Sequence, residues 1–162
     1  DLAEVLLEAR MANQSYAEQY NVSVRVEGVD RPALAKLDST RILQVLANLL
    51  SNACKFSKPN SEIVLALIPD EHHFKVSVTD SGIGIPDADI ARMFERFQQA
   101  SNSDRNKRGG SGLGLSIVKV IVEKHGGTVS LTSKEGVGTT VTFTLPSAVD
   151  LTWPQGLHVV AG

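Results

Sequence analysis

The chain has 162 residues, a formal net charge of −2, and apolar and charged shares of 42% and 21%. These values suit one domain with one sizeable core and give no general pull toward nucleic acid or an anionic membrane. A lone cysteine, Cys54, excludes an internal disulfide and fits a reducing, cytoplasmic setting; no apolar run is long enough to span a bilayer and no basic and apolar leader is visible.

Leu2, Val5, Leu6, Ala9 and Ala12 recur at helical spacing and predict a helix from Leu2 to about Tyr20. Val22, Val24 and Val26 alternate, which predicts a strand over Val22 to Glu27. After a turn at Gly28 to Pro32, Asp38 is placed to cap a helix from about Ser39 to Phe56, which Lys58-Pro59-Asn60 breaks. Ile63 to Ile68 and Phe74 to Thr79 read as a hairpin across Pro69-Asp70-Glu71-His72. Pro86 opens a short helix to about Phe97. Gln98 to Gly112 is polar and lacks apolar periodicity, the pattern of a long lid or binding loop. The next helix runs to His125 and stops at Gly126-Gly127. Thr128 to Ser133 and Thr139 to Leu145 make a second hairpin around Gly136-Val137-Gly138, and Ser147 to Gly162 carries weak signals. Hairpins segregated from helices predict an α+β two-layer sandwich. Its sheet is mixed, mostly antiparallel, of about five strands on about three helices, not a doubly wound parallel one.

Three segments carry candidate chemistry. On the helix from Ser39, the residues Gln44, Asn48, Asn52 and Lys55 share one face, opposite the apolar set Ile42, Leu46, Leu49, Leu50 and Ala53. An asparagine carbonyl is a hard oxygen ligand suited to Mg²⁺, and a lysine can meet a phosphate; a plain solvated face has the same pattern. In Phe74 to Asp80 the period of two turns Asp80 inward with Phe74, Val76 and Val78. A carboxylate there needs a donor partner. It is followed by the glycine turn Ser81-Gly82-Ile83-Gly84-Ile85-Pro86, so it suits an exocyclic amine such as N6 of adenine, or simply caps a turn. Third, Gly109-Gly110-Ser111-Gly112-Leu113-Gly114 runs into an apolar helix, and glycine amides at a helix start make an anion site. No Gly-Lys-Ser/Thr closes it, and no strand precedes it, so it is neither a P-loop nor a dinucleotide turn.

Together these segments resemble the boxes of sensor histidine kinases. Asn48-Leu49-Leu50-Ser51-Asn52-Ala53-Cys54-Lys55-Phe56 resembles the N box, Asp80-Ser81-Gly82-Ile83-Gly84 the G1 box, Phe94-Glu95-Arg96-Phe97 the F box, and Gly110-Ser111-Gly112-Leu113-Gly114-Leu115 the G2 box. The resemblance covers about Asp38 to Pro146 and implies the GHKL (Bergerat) fold shared with DNA gyrase and MutL. It implies ATP and Mg²⁺ as cofactors. Asn52 would ligate the metal, with Asn48 and Lys55 at the phosphates, these three forming the catalytic set. Phe56, Gly82, Gly84 and Ile85 would surround the base. Asp80 would take its N6 amine, with Thr139 helping to hold Asp80 and a bound water. Phe94 and Phe97 would anchor the lid base, Gly110, Gly112 and Gly114 would close over the phosphates, and Leu113 and Leu115 would also belong to the nucleotide site.

Two departures sharpen the expected function. ATP-hydrolysing relatives carry a glutamate where this chain has Asn48, and an amide cannot act as a base. That favours phosphoryl transfer to a protein. None of the four histidines lies in the family's Ser/Thr-His-Glu phosphoacceptor motif. The expectation is therefore a catalytic ATP-binding domain over 21–146. The helix of 1–20 would lead in from a dimerisation and phosphoacceptor domain, and 147–162 would be a tail. Expected partners are that domain and a response-regulator receiver domain, with no nucleic acid; the fragment would be monomeric and the full-length protein a homodimer. A serine-directed kinase or a nucleotide-sensing regulator on the same fold remain alternatives.

Overall fold

Asp1 anchors the first helix. Its carboxylate accepts from the Ala3 and Ala33 amides, both at 2.9 Å, so one side chain caps α1 (Leu2–Ala12) and pins the distant loop around Ala33. The computed structural model describes residues 1–95 and 112–148. The single helix expected over Leu2 to Tyr20 is two, because α2 (Gln14–Gln19) starts after a break at Asn13. The Asn13 amide group donates to the Ala9 carbonyl at 2.8 Å and competes with the backbone for it.

Five strands follow the expected order: β1 (Ser23–Glu27), β2 (Glu62–Asp70), β3 (His73–Asp80), β4 (Val129–Lys134) and β5 (Gly138–Pro146). They form one sheet in the order β1-β2-β3-β5-β4, with β1 parallel to β2 and every other pairing antiparallel. The expected mixed, mostly antiparallel sheet is therefore present. β2 runs two residues further than expected, through Pro69. β1 pairs only as far as Ala66, so no strand on that side needs the amide that Pro69 lacks.

The helices α3 (Ser39–Phe56) and α5 (Gly114–Lys124) pack with α1 on one face of the sheet. Ile42, Leu46 and Leu50 of α3, Val118 and Val122 of α5, and Leu2 and Leu6 of α1 meet Ile63, Leu65, Val76 and Phe143 of the strands. All are essentially inaccessible, and each such side chain stabilises the fold by about 1.5–3 kcal/mol relative to exposure. The α1 side chains thus belong to the same core as the sheet.

Asp38 caps α3 as expected, accepting from Arg41 N–H at 3.1 Å. Its own amide donates to His125 Nε2 at 3.0 Å, which ties the start of α3 to the end of α5. α5 ends in a Schellman turn: Gly126 takes φ +74, its amide donates to Glu123, and the Gly127 amide donates to Val122. The helix expected from Pro86 to about Phe97 is shorter. Among the described residues of that span, 86–95, only α4 (Asp87–Ile90) is helical. The chain then continues in turns to Glu95, with Arg92, Met93 and Glu95 each bonded to a carbonyl three residues back.

Candidate functional site

Burial of the apolar stripe of α3 leaves Asn48 and Asn52 half-buried on the flank that meets the start of α5. Asn48 Nδ2 donates to the Gln44 carbonyl at 3.0 Å. Gly114, the first residue of α5, lies directly against both amides. A Cβ there would stand 3.3 Å from Asn48 Oδ1 and 3.6 Å from Asn52 Nδ2. Among the described residues no side chain caps α5. Gly112 reaches the helix through φ +68, a conformation glycine adopts without strain. The structure therefore brings the N-box asparagines and the last G2 glycine to one place.

The second half of the site grows from the end of β3. Asp80, 9% exposed, accepts from Gly82 N–H at 2.8 Å through Oδ1. Gly82 is pressed against the Phe56 carbonyl, which also accepts from Ile83 N–H at 3.2 Å. Gly84, at φ +67, leaves no room for a side chain beside the Lys134 backbone, and Gly136 N–H donates to Ile83 O at 2.8 Å. The 81–85 loop is thus held between the end of α3 and the β4–β5 turn by backbone contacts that only glycine allows. Lys58 Nζ reinforces this stack by donating to Gly136 O at 3.2 Å.

A pocket opens between these halves. Asn52, Phe56, Asp80, Ile85, Leu115 and Thr139 line it, with Leu49, Ala53, Val78, Leu131 and Val141 as apolar wall. It is a slot lined mostly by apolar side chains, with Asn52, Asp80 and Thr139 as its polar groups, the general form of a small-ligand site. Asn48 and Gly114 stand beside it. Lys55 is placed differently: its Nζ lies 5.5 Å from the Phe56 ring centroid, and the side chain lines a separate hollow with Tyr20, Ser57 and Pro59. Phe97 and Gly110 lie outside the described residues. Among the described residues no cluster of three His, Cys, Asp or Glu side chains could hold a metal. A cation here would meet the amide oxygen of Asn52, a donor chemistry that fits Mg²⁺. Ser133 was not singled out in the sequence. Its hydroxyl accepts from Ile85 N–H at 2.9 Å and contacts Thr139 Oγ1 at 2.8 Å. Only the register of β4 on β5 reveals it.

The family described as "Histidine kinase-, DNA gyrase B-, and HSP90-like ATPase" matches residues 37–149. The chain belongs to that family. Sensor histidine kinase WalK of Bacillus subtilis is 42% identical over 119 residues, 72% of this chain and 20% of WalK. The solved structure of the mycobacterial sensor histidine kinase MprB superposes with a TM-score of 0.78 at 30% identity, covering 91% of this chain and 96% of that one. Full-length ShkA in complex with AMPPNP gives a TM-score of 0.79 at 27% identity, over 92% of this chain and 30% of that one. The GHKL fold, and a catalytic ATP-binding domain of the sensor histidine kinase type, follow from these likenesses. The chain spans a fifth of the length of WalK, so it corresponds to one part of such proteins. No helix among the described residues is long and apolar enough to cross a membrane.

Proposed function

We propose that this chain binds ATP with Mg²⁺ and passes the γ-phosphoryl group to a histidine on a separate dimerisation domain, within a two-component pathway. The observation that carries the reading is the contact of Gly114 with Asn48 and Asn52. It sets a helix start, which favours anions, against two amides beside the pocket that Asp80 lines. Adenine would lie in the slot between Phe56, Ile85 and Leu115, with its N6 amine toward Asp80 and with Thr139 beside that carboxylate. The phosphates would lie toward Gly112, Leu113 and Gly114, with Gly110 and Phe97 contributing from the lid. Asn52 would offer its amide oxygen to Mg²⁺, with Asn48 at the phosphates. Bound Mg²⁺ would neutralise phosphate charge, and positioning would supply most of the remaining catalysis. Asn48 is no base, so transfer to a protein is favoured over hydrolysis.

Residues 1–20 would lead in from the dimerisation domain and 147–162 would form a tail. A receiver domain would take the phosphoryl group onward from a homodimeric, cytosolic kinase module. The test is nucleotide affinity with Mg²⁺ and with chelator. In Asn52→Ala the gain in affinity from Mg²⁺ falls by about tenfold or more; an unchanged gain would sink the metal assignment. Mixing the chain with its dimerisation helices and labelled ATP should give acid-labile, alkali-stable label on the helices. Binding with no transfer would favour a nucleotide-sensing regulator instead.

A further inference from the structure

Ser133 stands opposite Thr139 in the β4–β5 ladder, and Thr139 stands opposite Asp80 in the β3–β5 ladder. The three side chains form one polar row across three strands at the head of the inner face. The next row inward, Leu131, Val141 and Val78, is apolar. Thr139 is 6% exposed and lines the pocket together with Asp80.

One assignment of protons satisfies every contact of this row. A hydroxyl has one proton to donate and two lone pairs to accept with. Ser133 Oγ donates to the Gly138 carbonyl at 2.8 Å, which uses its proton. It accepts from Ile85 N–H at 2.9 Å, which uses one lone pair. The remaining lone pair meets Thr139 Oγ1 at 2.8 Å, so Thr139 is the donor in that contact. With its proton directed at Ser133, Thr139 can only accept from whatever enters the pocket. The Asp80 carboxylate is an acceptor too.

We infer that Ser133 is a positioning residue that fixes Thr139 as an acceptor, so that the polar end of the pocket selects a purine edge bearing an amine over one bearing a carbonyl. This rests on the reading of the pocket as an adenine-nucleotide site and deepens it. Ser133 need not touch the base. It acts through the direction of the Thr139 proton and through the Ile85 amide.

The test is the ratio of affinities for ADP and IDP, which present an amine and a carbonyl at the same ring position. Titration calorimetry on the wild-type chain, Ser133→Ala and Ser133→Thr measures it. In Ser133→Ala, Thr139 is free to turn its proton toward a carbonyl, and the preference for ADP falls about fivefold or more. Ser133→Thr keeps the hydroxyl and keeps the preference. If the serine only stiffens the 81–85 loop, Ser133→Ala weakens both nucleotides in step. An unchanged ratio of that kind overturns the inference while leaving the nucleotide site standing. If the wild-type chain binds no ADP, the proposed function falls and this inference with it. Should the alanine variant not fold, Ser133→Cys is nearly isosteric and a poor acceptor, and the same change in ratio is expected of it.

Discussion

Gly114 opens α5 with no side chain between the helix and the amides of Asn48 and Asn52, and Gly114→Ala puts one methyl group there. The new carbon would stand 3.3 Å from Asn48 Oδ1, a few tenths of an ångström inside a comfortable contact, and 3.6 Å from Asn52 Nδ2. Both neighbours are the ends of side chains and can turn away. Alanine at a helical position gains about 0.5–1 kcal/mol over glycine. Turning Asn48 would cost its 3.0 Å bond to Gln44 O, worth about 0.5–1.5 kcal/mol. The two nearly cancel, so the urea midpoint should move by less than the equivalent of about 1 kcal/mol. Binding should not be spared. The methyl group would occupy the approach of an anion to the first amides of α5 and displace the two asparagines. A hydrogen bond to a charged group is worth about 1.5–3 kcal/mol, so ATP-analogue affinity should fall by about tenfold to a hundredfold. Calorimetric titration beside urea denaturation measures both quantities on one sample. Affinity within twofold of wild type, at unchanged stability, would refute the placement of phosphates at this helix start.

Gly82→Ala should behave in the opposite way. Its Cβ would overlap the Phe56 carbonyl, which is backbone and cannot swing aside, and would stand 2.7 Å from Asp80 Oδ1. Overpacking together with the disturbed bonds of Ile83 and Gly82 should cost about 2–4 kcal/mol in urea denaturation, and a loss below about 1 kcal/mol would contradict the packing described. Burial pushes the Cys54 thiol from 9.0 up to about 11. The fold therefore favours the protonated thiol: its contribution is intact below about pH 9 and is lost as pH rises through about 11. Tyr16, held up at about 12 first by the Tyr20 hydroxyl and then by burial, acts in the same direction above about pH 10. Cys54→Ala should flatten the fall of the urea midpoint between pH 9 and 11, and parallel curves for variant and wild type would exclude the thiol as its source.

Local chemistry made much of this legible in the sequence. The phase of α3 put Asn48 and Asn52 on one flank, the alternation in β3 turned Asp80 inward, and Gly126-Gly127 ended α5. Each depends on neighbours within a turn or two, and such preferences survive into the fold. The misplacements were local competitions that periodicity does not register. Asn13 broke the first helix through its side-chain amide, and the segment after Ile90 closed tight turns in place of α-helix.

The boxes, their order and the inward Asp80 were thus written in the chain. Tertiary structure alone decided what faces what. Gly114 meets Asn48 only because α3 and α5 pack side by side. Lys55 lines the Tyr20 hollow, although its spacing set it on the same helix face as Asn52. Ser133 reaches Ile85 and Thr139 because β4 pairs with β5 in one register, and a shift of one residue would turn it to the other face. A sequence states which groups a site has; the direction of a proton in it is set by neighbours distant along the chain.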